Sequence, residues 1–243
     1  MKNLKVLRDM TREELAVLVS ILLEKGWLTE ELTCNSWFRA CHKAGDYRPC
    51  LDLIAAEIRK FGGNTFTNIR CGEGPQYKAV ALDVCRKLNV PVCADWRMRY
   101  IDQALLDKVL ADMWHKMTQG ERRELLKALN VKVSTDSDFG AEALAALLVT
   151  FRAGGFASYQ LAVIVANAIA KVLLGQGLSL AANAALTKIL SIVTGPLSIV
   201  LTTIWVVKDV AGPAYRVTIP VVLYIAAVRQ RHRIARKKAK NVA

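Results

Sequence analysis

The residue types that most often carry catalysis are few and widely separated in this sequence. His42, His115 and His232 are too scattered to indicate a catalytic triad. The sequence also lacks the H-E-x-x-H, G-x-S-x-G and G-x-x-x-x-G-K-[ST] motifs, which mark metalloproteases, serine hydrolases and phosphate-binding loops. We therefore predict a protein without enzymatic activity and without a cofactor.

The six cysteines all lie within the first 93 residues. Cys34, Cys41, His42 and Cys50 are the candidate metal ligands, because thiolates and imidazoles are the usual ligands of zinc. No two cysteines, however, have the two-residue gap of a zinc knuckle or a redox pair. We interpret the cysteines as reduced thiols and predict no metal site.

A glycine-containing turn is the candidate anion site. Gly72 and Gly74 lie close to Arg70 and Lys78, just before a predicted helix that Pro75 opens. Backbone N–H groups in such a turn can bind an anion at the helix start, which would make the protein a ligand-regulated switch. The alternative is a turn that only connects two helices.

The positive charge of the chain is concentrated in its C-terminal part. The formal net charge is +13, and residues 140–243 carry 12 lysines and arginines against two acids, Glu142 and Asp209. Residues 1–139 have an almost balanced surface, with 22 basic residues against 19 acidic ones. A basic, apolar half suits an anionic membrane surface or an acidic partner.

Long uncharged runs accompany this charge: Ala153 to Ala170, Val172 to Thr187 and Ile189 to Val207. The last run has 19 residues, and as a helix it would reach about 28 Å, close to the thickness of a bilayer core. We expect Gly195 and Pro196 to interrupt it. Three readings stay open: helices that span a membrane, a helical bundle buried in protein, and a soluble form that inserts into or lies on a membrane.

The C-terminal end is the candidate contact surface. Seven basic residues follow an apolar stretch directly, an arrangement that could hold it at an anionic leaflet. Nucleic acid is a weaker alternative, since no aromatic residue after Tyr224 could stack on bases. The third reading is a solubilising, frayed end. The predicted membrane or partner contacts are Leu201, Ile204, Trp205, Arg229, Arg231, Arg233, Arg236, Lys237 and Lys238, with Lys240 as the last tail charge.

Structural roles are predicted for a second group of residues. We expect Gly62 and Gly63 to end a helix in a left-handed conformation. Asp209 is expected to pair with Arg216 across the break at Gly212 and Pro213, because an unpaired charge in apolar surroundings is costly.

Helical signals predict an all-α fold with a small N-terminal helical module and a larger apolar C-terminal bundle. Thr11 with Glu14, and Thr118 with Glu121, have the spacing of capping boxes at helix starts. The polar run at residues 131–140 indicates a linker. We predict a recruitment module at residues 1–50, a helical domain at 51–135 and an apolar, basic bundle at 140–243. The β-branched stretch from Val217 to Leu223 leaves a strand open as an alternative there.

Several stretches resemble a known family. They are FGGNT (residues 61–65), YKAVALDVC (77–85), the apolar stretch that begins FRAGGFASYQLAV (151–163) and, above all, AGPAYRVTIPVVLYIAAVRQ (211–230). The sequence resembles the bacterial YaaW family of uncharacterised proteins, preceded by a short N-terminal domain of unknown function. This family is grouped loosely with the ubiquinol-cytochrome c chaperones. The resemblance implies a bacterial cytoplasmic protein and brings no activity with it.

Two functions from different classes follow. The first is a non-enzymatic helical protein that associates with the cytoplasmic membrane through its C-terminal half, as a stress or defence effector. The second is a chaperone or assembly factor for a hydrophobic client, such as a respiratory subunit. Self-association into a homo-oligomer is compatible with both.

Overall fold

The computed structural model describes residues 3–25, 30–62, 74–133, 139–175, 184–205 and 214–242. Throughout these ranges the secondary structure is helical and contains no strand, so the prediction of an all-α fold is confirmed. Two short 3-10 helices, Lys5–Arg8 and Arg48–Cys50, accompany the α-helices. The α-helices are α1 (Arg12–Lys25), α2 (Glu30–Cys34), α3 (Ser36–Ala44), α4 (Leu51–Phe61), α5 (Tyr77–Lys87), α6 (Met98–Lys116), α7 (Gln119–Ala128), α8 (Ala141–Ala153), α9 (Phe156–Leu174), α10 (Ala184–Trp205) and α11 (Tyr215–Val242).

Both predicted capping boxes begin helices. At α1 the Thr11 N–H donates to Glu14 Oε2 at 2.8 Å, and the Glu14 N–H donates to Thr11 Oγ1 at 3.2 Å. The same reciprocal pair joins Thr118 and Glu121 at the start of α7. Each box satisfies N–H groups that the first helical turn leaves without partners, which is why these spacings locate helix starts well.

Helix α9 lies at the centre of the molecule. It packs against α1, α8, α10 and α11, and every side chain from Leu161 to Ala170 is buried. Helix α11 in turn contacts α1, α5 and α6, so the last helix packs directly on the first. The described helices share one hydrophobic core, which extends from Leu4 to Val228. The division into domains at residues 51 and 140 stays a prediction.

Helix α10 continues through Gly195 and Pro196, and the predicted interruption is therefore wrong. A proline inside a helix costs about 3 kcal/mol, because it removes a hydrogen bond and crowds the preceding turn. Pro196 is buried, and Val193 and Leu197 beside it are 0% exposed. Burial of such side chains contributes about 1.5–3 kcal/mol each, so packing outweighs the cost of the proline.

Helix α11 is a single element that contains Pro220 and runs into the basic C-terminal end. The stretch from Val217 to Leu223, for which the sequence left a strand open, is helical and fully buried. Its β-branched side chains pack in the core, so tertiary packing overrides their intrinsic preference for strands.

Two glycines allow close approach between segments. A Cβ atom on Gly62 would lie 2.2 Å from Val80 Cγ2, and one on Gly74 would lie 2.3 Å from the Arg59 backbone. Gly62 has a φ of −80°, so the predicted left-handed conformation is wrong at this position. Space between α4 and α5, rather than backbone conformation, requires glycine there.

Candidate functional site

The basic residues of α11 fall into two groups with different surroundings. The guanidinium of Arg229 donates from Nη1 to Asp102 Oδ2 at 2.5 Å and from Nη2 to the Asn3 carbonyl at 2.8 Å. It also lies over the Tyr77 ring, 5.6 Å from the ring centroid. Arg229 therefore connects α11 to α6, α5 and the N-terminal segment.

Asp102 is almost completely inaccessible, with 3% of its side chain exposed. It lies on the face of α6 that also carries the buried Ile101 and Leu105. Burial raises the pKa of the Asp102 carboxyl, and the charge of Arg229 offsets part of that rise. Removal of Arg229 would leave this buried carboxylate without its ion-pair partner.

Glu14 is the second buried acid that pairs with side chains of α11. Arg231 Nη2 lies 2.5 Å from Glu14 Oε1, and His232 Nε2 lies 3.1 Å from Glu14 Oε2. Burial alone would raise the pKa of Glu14, but the hydrogen bonds from His232 and from the Thr11 N–H, together with the Arg231 charge, outweigh it and lower this pKa. The same residue thus caps α1 and binds α11.

The following turns of α11 are progressively more exposed. Arg236 Nη2 lies 2.6 Å from Asp9 Oδ1, and 63% of the arginine side chain is exposed. Lys237, Lys238 and Lys240 are exposed, and none has an ion-pair partner in the described part of the chain. These three lysines are the tail charges that solvent, lipid or a partner can reach most easily.

A cleft of about 1060 Å³ lies beside this end of α11. Its walls come from residues 90–111, from the end of α8 and from α11. A second cleft of about 680 Å³ lies between α11 and the N-terminal segment. Arg233 and Lys237 line both clefts, so these residues stand between the two spaces.

Helix α10 supplies the other predicted contact residues. Leu201 is 0% exposed and packs in the core, whereas Ile204 and Trp205 have side chains outside the described set. The opposite face of α10 is exposed and almost uncharged, with Ile199 half-exposed and Lys188 as its one cation.

The hydroxyl groups on α10 bond to the backbone of their own helix. Thr194, Ser198 and Thr203 each donate to the carbonyl four residues earlier, at 2.5 to 2.7 Å. Such bonds satisfy polar groups without water, which suits a helix face that meets apolar material. By length and composition, α9 and α10 contain the two segments of the described chain that could cross a membrane: 72% of the α9 segment is buried in the protein, against 44% of the α10 segment.

Several predicted sites lie partly outside the described residues. These include the anion turn at Gly72 and the pairing of Asp209 with Arg216, as well as Gly63, Gly212 and Pro213. Near the turn, the Arg59 guanidinium donates to the carbonyls of Gly74 and Pro75 at 2.7 and 2.9 Å. Arg59 therefore anchors the segment that leads into α5. In the described part of the chain, no group of three or more metal-ligating side chains lies close enough to hold an ion.

The partners of the tail arginines were not predicted from the sequence. Asp102 stands within an apolar helix face beside Ile101 and Leu105, and a buried charge there was the available signal of a partner elsewhere. Glu14 was recognised as a capping residue, but its second role needs α11 to return beside α1. No local sequence pattern indicates which basic side chain pairs with either acid.

Comparison with known proteins places these helices in a family. An UPF0174 protein of Helicobacter pylori is 38% identical over 246 residues, which cover 99% of this chain and 96% of that protein. A second UPF0174 protein from the same species is 36% identical, over 84% of this chain and 98% of its own length. The UPF0174 protein YaaW of Escherichia coli is 31% identical, over 94% of this chain and 93% of its own length. The resemblance noted in the sequence is confirmed.

A family model described as ubiquinol-cytochrome C chaperone matches residues 86–223. The matched range includes α6 to α10 and the first part of α11. No solved structure matches the chain. The chain therefore belongs to the UPF0174 family and, through residues 86–223, to the ubiquinol-cytochrome C chaperone family.

Proposed function

We propose that this protein is a non-enzymatic chaperone or assembly factor that holds a hydrophobic client protein. The observation that carries the proposal is the match of residues 86–223 to the ubiquinol-cytochrome C chaperone family. In the described part of the chain, the matched range also carries five exposed large apolar side chains, namely Trp96, Tyr100, Val149, Phe156 and Ile199. The most exposed of them are Val149 at 64%, Phe156 at 63% and Ile199 at 50%.

These side chains have the chemistry that a hydrophobic client needs. Val149 lies one turn before the end of α8 at the exposed Ala153, and Phe156 begins α9. Burial of each large side chain against a client would contribute about 1.5–3 kcal/mol, less the cost of ordering the interface. A client of the respiratory type, inserted into the cytoplasmic membrane, would present complementary apolar helices.

Site-specific crosslinking in bacterial cells tests this proposal. A photo-crosslinking amino acid is placed at position 149, 156 or 199, and at position 37 as the control. Trp37 is 57% exposed but lies outside the matched range. We expect adducts with the same membrane-protein subunits at the first three positions. Equal adducts at all four positions, or none, would contradict client binding through this surface.

A second role at the membrane is favoured by α10, whose outer face is nearly uncharged and whose hydroxyls bond to their own helix. We propose that this face and the exposed lysines of α11 bring the protein to the inner surface of the cytoplasmic membrane. Each lysine near an anionic surface contributes on the order of 1 kcal/mol. An effector that perturbs membranes would be an active form of this role.

Flotation with liposomes tests the membrane role. The variant for this experiment must keep the buried ion pairs of α11 intact. Deletion of residues 229–243 would strip Asp102 and Glu14 of their counter-charges, so the loss of binding would be confounded by unfolding. Replacement of Lys237, Lys238 and Lys240 by glutamine avoids this problem. We expect flotation with anionic lipid to fall in that variant, while no flotation of the parent protein would exclude the role.

A further inference from the structure

The larger cleft, which we call the basic cleft, has an unbalanced set of charges. Its lining includes six cationic side chains and two carboxylates, Asp95 and Asp107. The cations are Arg97, Arg99, Lys108, Arg152, Arg233 and Lys237. Such an excess of one charge in a concave surface raises the local concentration of ligands of opposite charge.

Two of these cations are already neutralised. Arg152 Nε lies 2.8 Å from Asp107 Oδ2, and Lys108 Nζ lies 2.6 Å from Asp112 Oδ1. Four cations then remain in the basic cleft against Asp95, the one lining carboxylate without an ion-pair partner among the described residues. The remaining charge is therefore available to an anion.

Arg233 is the most constrained of the four. Its guanidinium donates to Gln230 Oε1, and Gln230 Nε2 donates to Gln103 Oε1 at 3.3 Å. Burial lowers the pKa of Arg233, and the nearby charges of Arg99 and Arg229 lower it further, against the opposing effect of Asp102. A half-buried arginine that is held by Gln230 and lies close to other arginines is a costly arrangement that an anion between them would relieve.

Aromatic side chains flank these charges. Trp96 and Tyr100 line the same cleft, and 37% and 47% of their respective surfaces are exposed. Their ring centroids lie 6.4 Å apart in an edge-to-face arrangement, and the Arg99 guanidinium lies 4.3 Å from the Tyr100 centroid. Exposed aromatic rings beside cations offer a surface for the flat or apolar part of an anionic ligand.

We propose that the basic cleft binds an organic phosphate. The phosphate group binds Arg99, Arg233 and Lys237, and the remainder of the ligand lies against Trp96 and Tyr100. Arginine suits phosphate because its planar guanidinium can donate two parallel hydrogen bonds. This site goes beyond client binding, since it lies at the α6–α11 junction and needs none of Val149, Phe156 and Ile199, the side chains assigned to the client.

Two sources of the phosphate, a nucleotide and a lipid headgroup, are distinguished by paired probes. Calorimetric titrations of the full chain use adenosine 5′-monophosphate beside adenosine, and dihexanoyl phosphatidate below its micelle concentration beside dihexanoylglycerol. Within each pair the probes differ by the phosphate group alone. We expect saturable binding of at least one phosphate compound and none of its phosphate-free partner. Absence of binding by both phosphate compounds would overturn the proposal.

Variants then test the assigned residues. Arg233→Gln and Lys237→Gln should each raise the dissociation constant about tenfold or more, because each removes a charge-assisted hydrogen bond. Arg39→Gln on α3, an exposed arginine outside both clefts, is the matched control and should leave binding unchanged. Lys237 is exposed, so its replacement keeps the fold even if Arg233→Gln alters it. Equal affinity of Lys237→Gln and the parent protein would overturn the assignment.

Trp96→Ala separates the two halves of the ligand site. It should lower the affinity for the organic phosphate severalfold and leave the lower affinity for inorganic phosphate unchanged, because only the organic part contacts the ring. An equal loss for both probes would contradict the role given to Trp96.

Discussion

The two ends of the basic stretch on α11 are both positively charged but have opposite surroundings. Arg229 and Arg231 are held by Asp102 and Glu14, which are 3% and 1% exposed. Arg236 has a partly exposed partner, and Lys237 to Lys240 extend into solvent. The comparison teaches that a run of positive charge can stabilise the fold at one end and remain free for recognition at the other.

Loss of Arg229 should have the largest effect. Arg229→Gln removes the ion-pair partner of the buried Asp102, and breakage of such a pair costs about 3–5 kcal/mol. We expect a loss of that order in urea unfolding, against almost none for Lys238→Gln as the control. Similar stabilities of the two variants would mean that the ends of the stretch do not differ.

Glu14→Gln should have the next largest effect, about 2 kcal/mol at pH 7, because it weakens charge-assisted contacts with Arg231 and His232. The pKa of Glu14 lies below its ordinary value of 4.5, so its contribution to stability is complete above that pH and is lost as the pH falls through the folded-state pKa.

Urea unfolding of the parent protein and of Glu14→Gln from pH 7 to pH 3.5 checks the direction of this pH dependence. The gap between their free energies of unfolding should be constant down to about pH 5.5 and should narrow below 4.5. A gap that widens as the pH falls would contradict the lowered pKa.

Arg236→Gln lies between the two ends and should cost less than about 1 kcal/mol, because exposed ion pairs are screened by water and salt. Its effect should decrease further in 1 M salt, whereas the effect of Arg229→Gln should persist. Thermal unfolding at low and high salt measures both. A loss of stability that does not change with salt would mean that the Arg236 ion pair behaves like the buried pairs.

Replacement of Lys237, Lys238 and Lys240 by glutamine should change the free energy of unfolding least, by about 0.5 kcal/mol or less. Its effect should instead be on recognition, as weaker binding of anionic lipid and of phosphate. A clear loss of stability without any loss of binding would reverse the distinction between the two ends.

Helices α9 and α10 show a similar contrast between a buried and a more exposed segment, here for apolar residues. Both are long and apolar enough to cross a membrane, yet α9 is surrounded by α1, α8, α10 and α11 and is mostly buried. Helix α10 leaves more than half of its apolar segment outside the core. Hydropathy reports the tendency of a segment to leave water, but the neighbouring helices decide which apolar medium it meets.

Local signals predicted the helical elements well. The capping boxes at Thr11 and Thr118 located α1 and α7, because these hydrogen bonds join residues three apart in sequence. The break at Pro196 was predicted wrongly for the complementary reason. The local cost of a proline was visible, but the packing energy of the side chains around it was not.

The sequence by itself determined the all-α class, most helix starts, the uneven distribution of charge and the membership of the family, since these depend on residue type and short spacing. Only the tertiary structure decided which charges are buried and which are free. The bond between Arg229 and Asp102 joins residues 127 positions apart, and the pair of His232 and Glu14 spans 218. Contacts over such distances arise from the packing of whole helices, which no local pattern encodes.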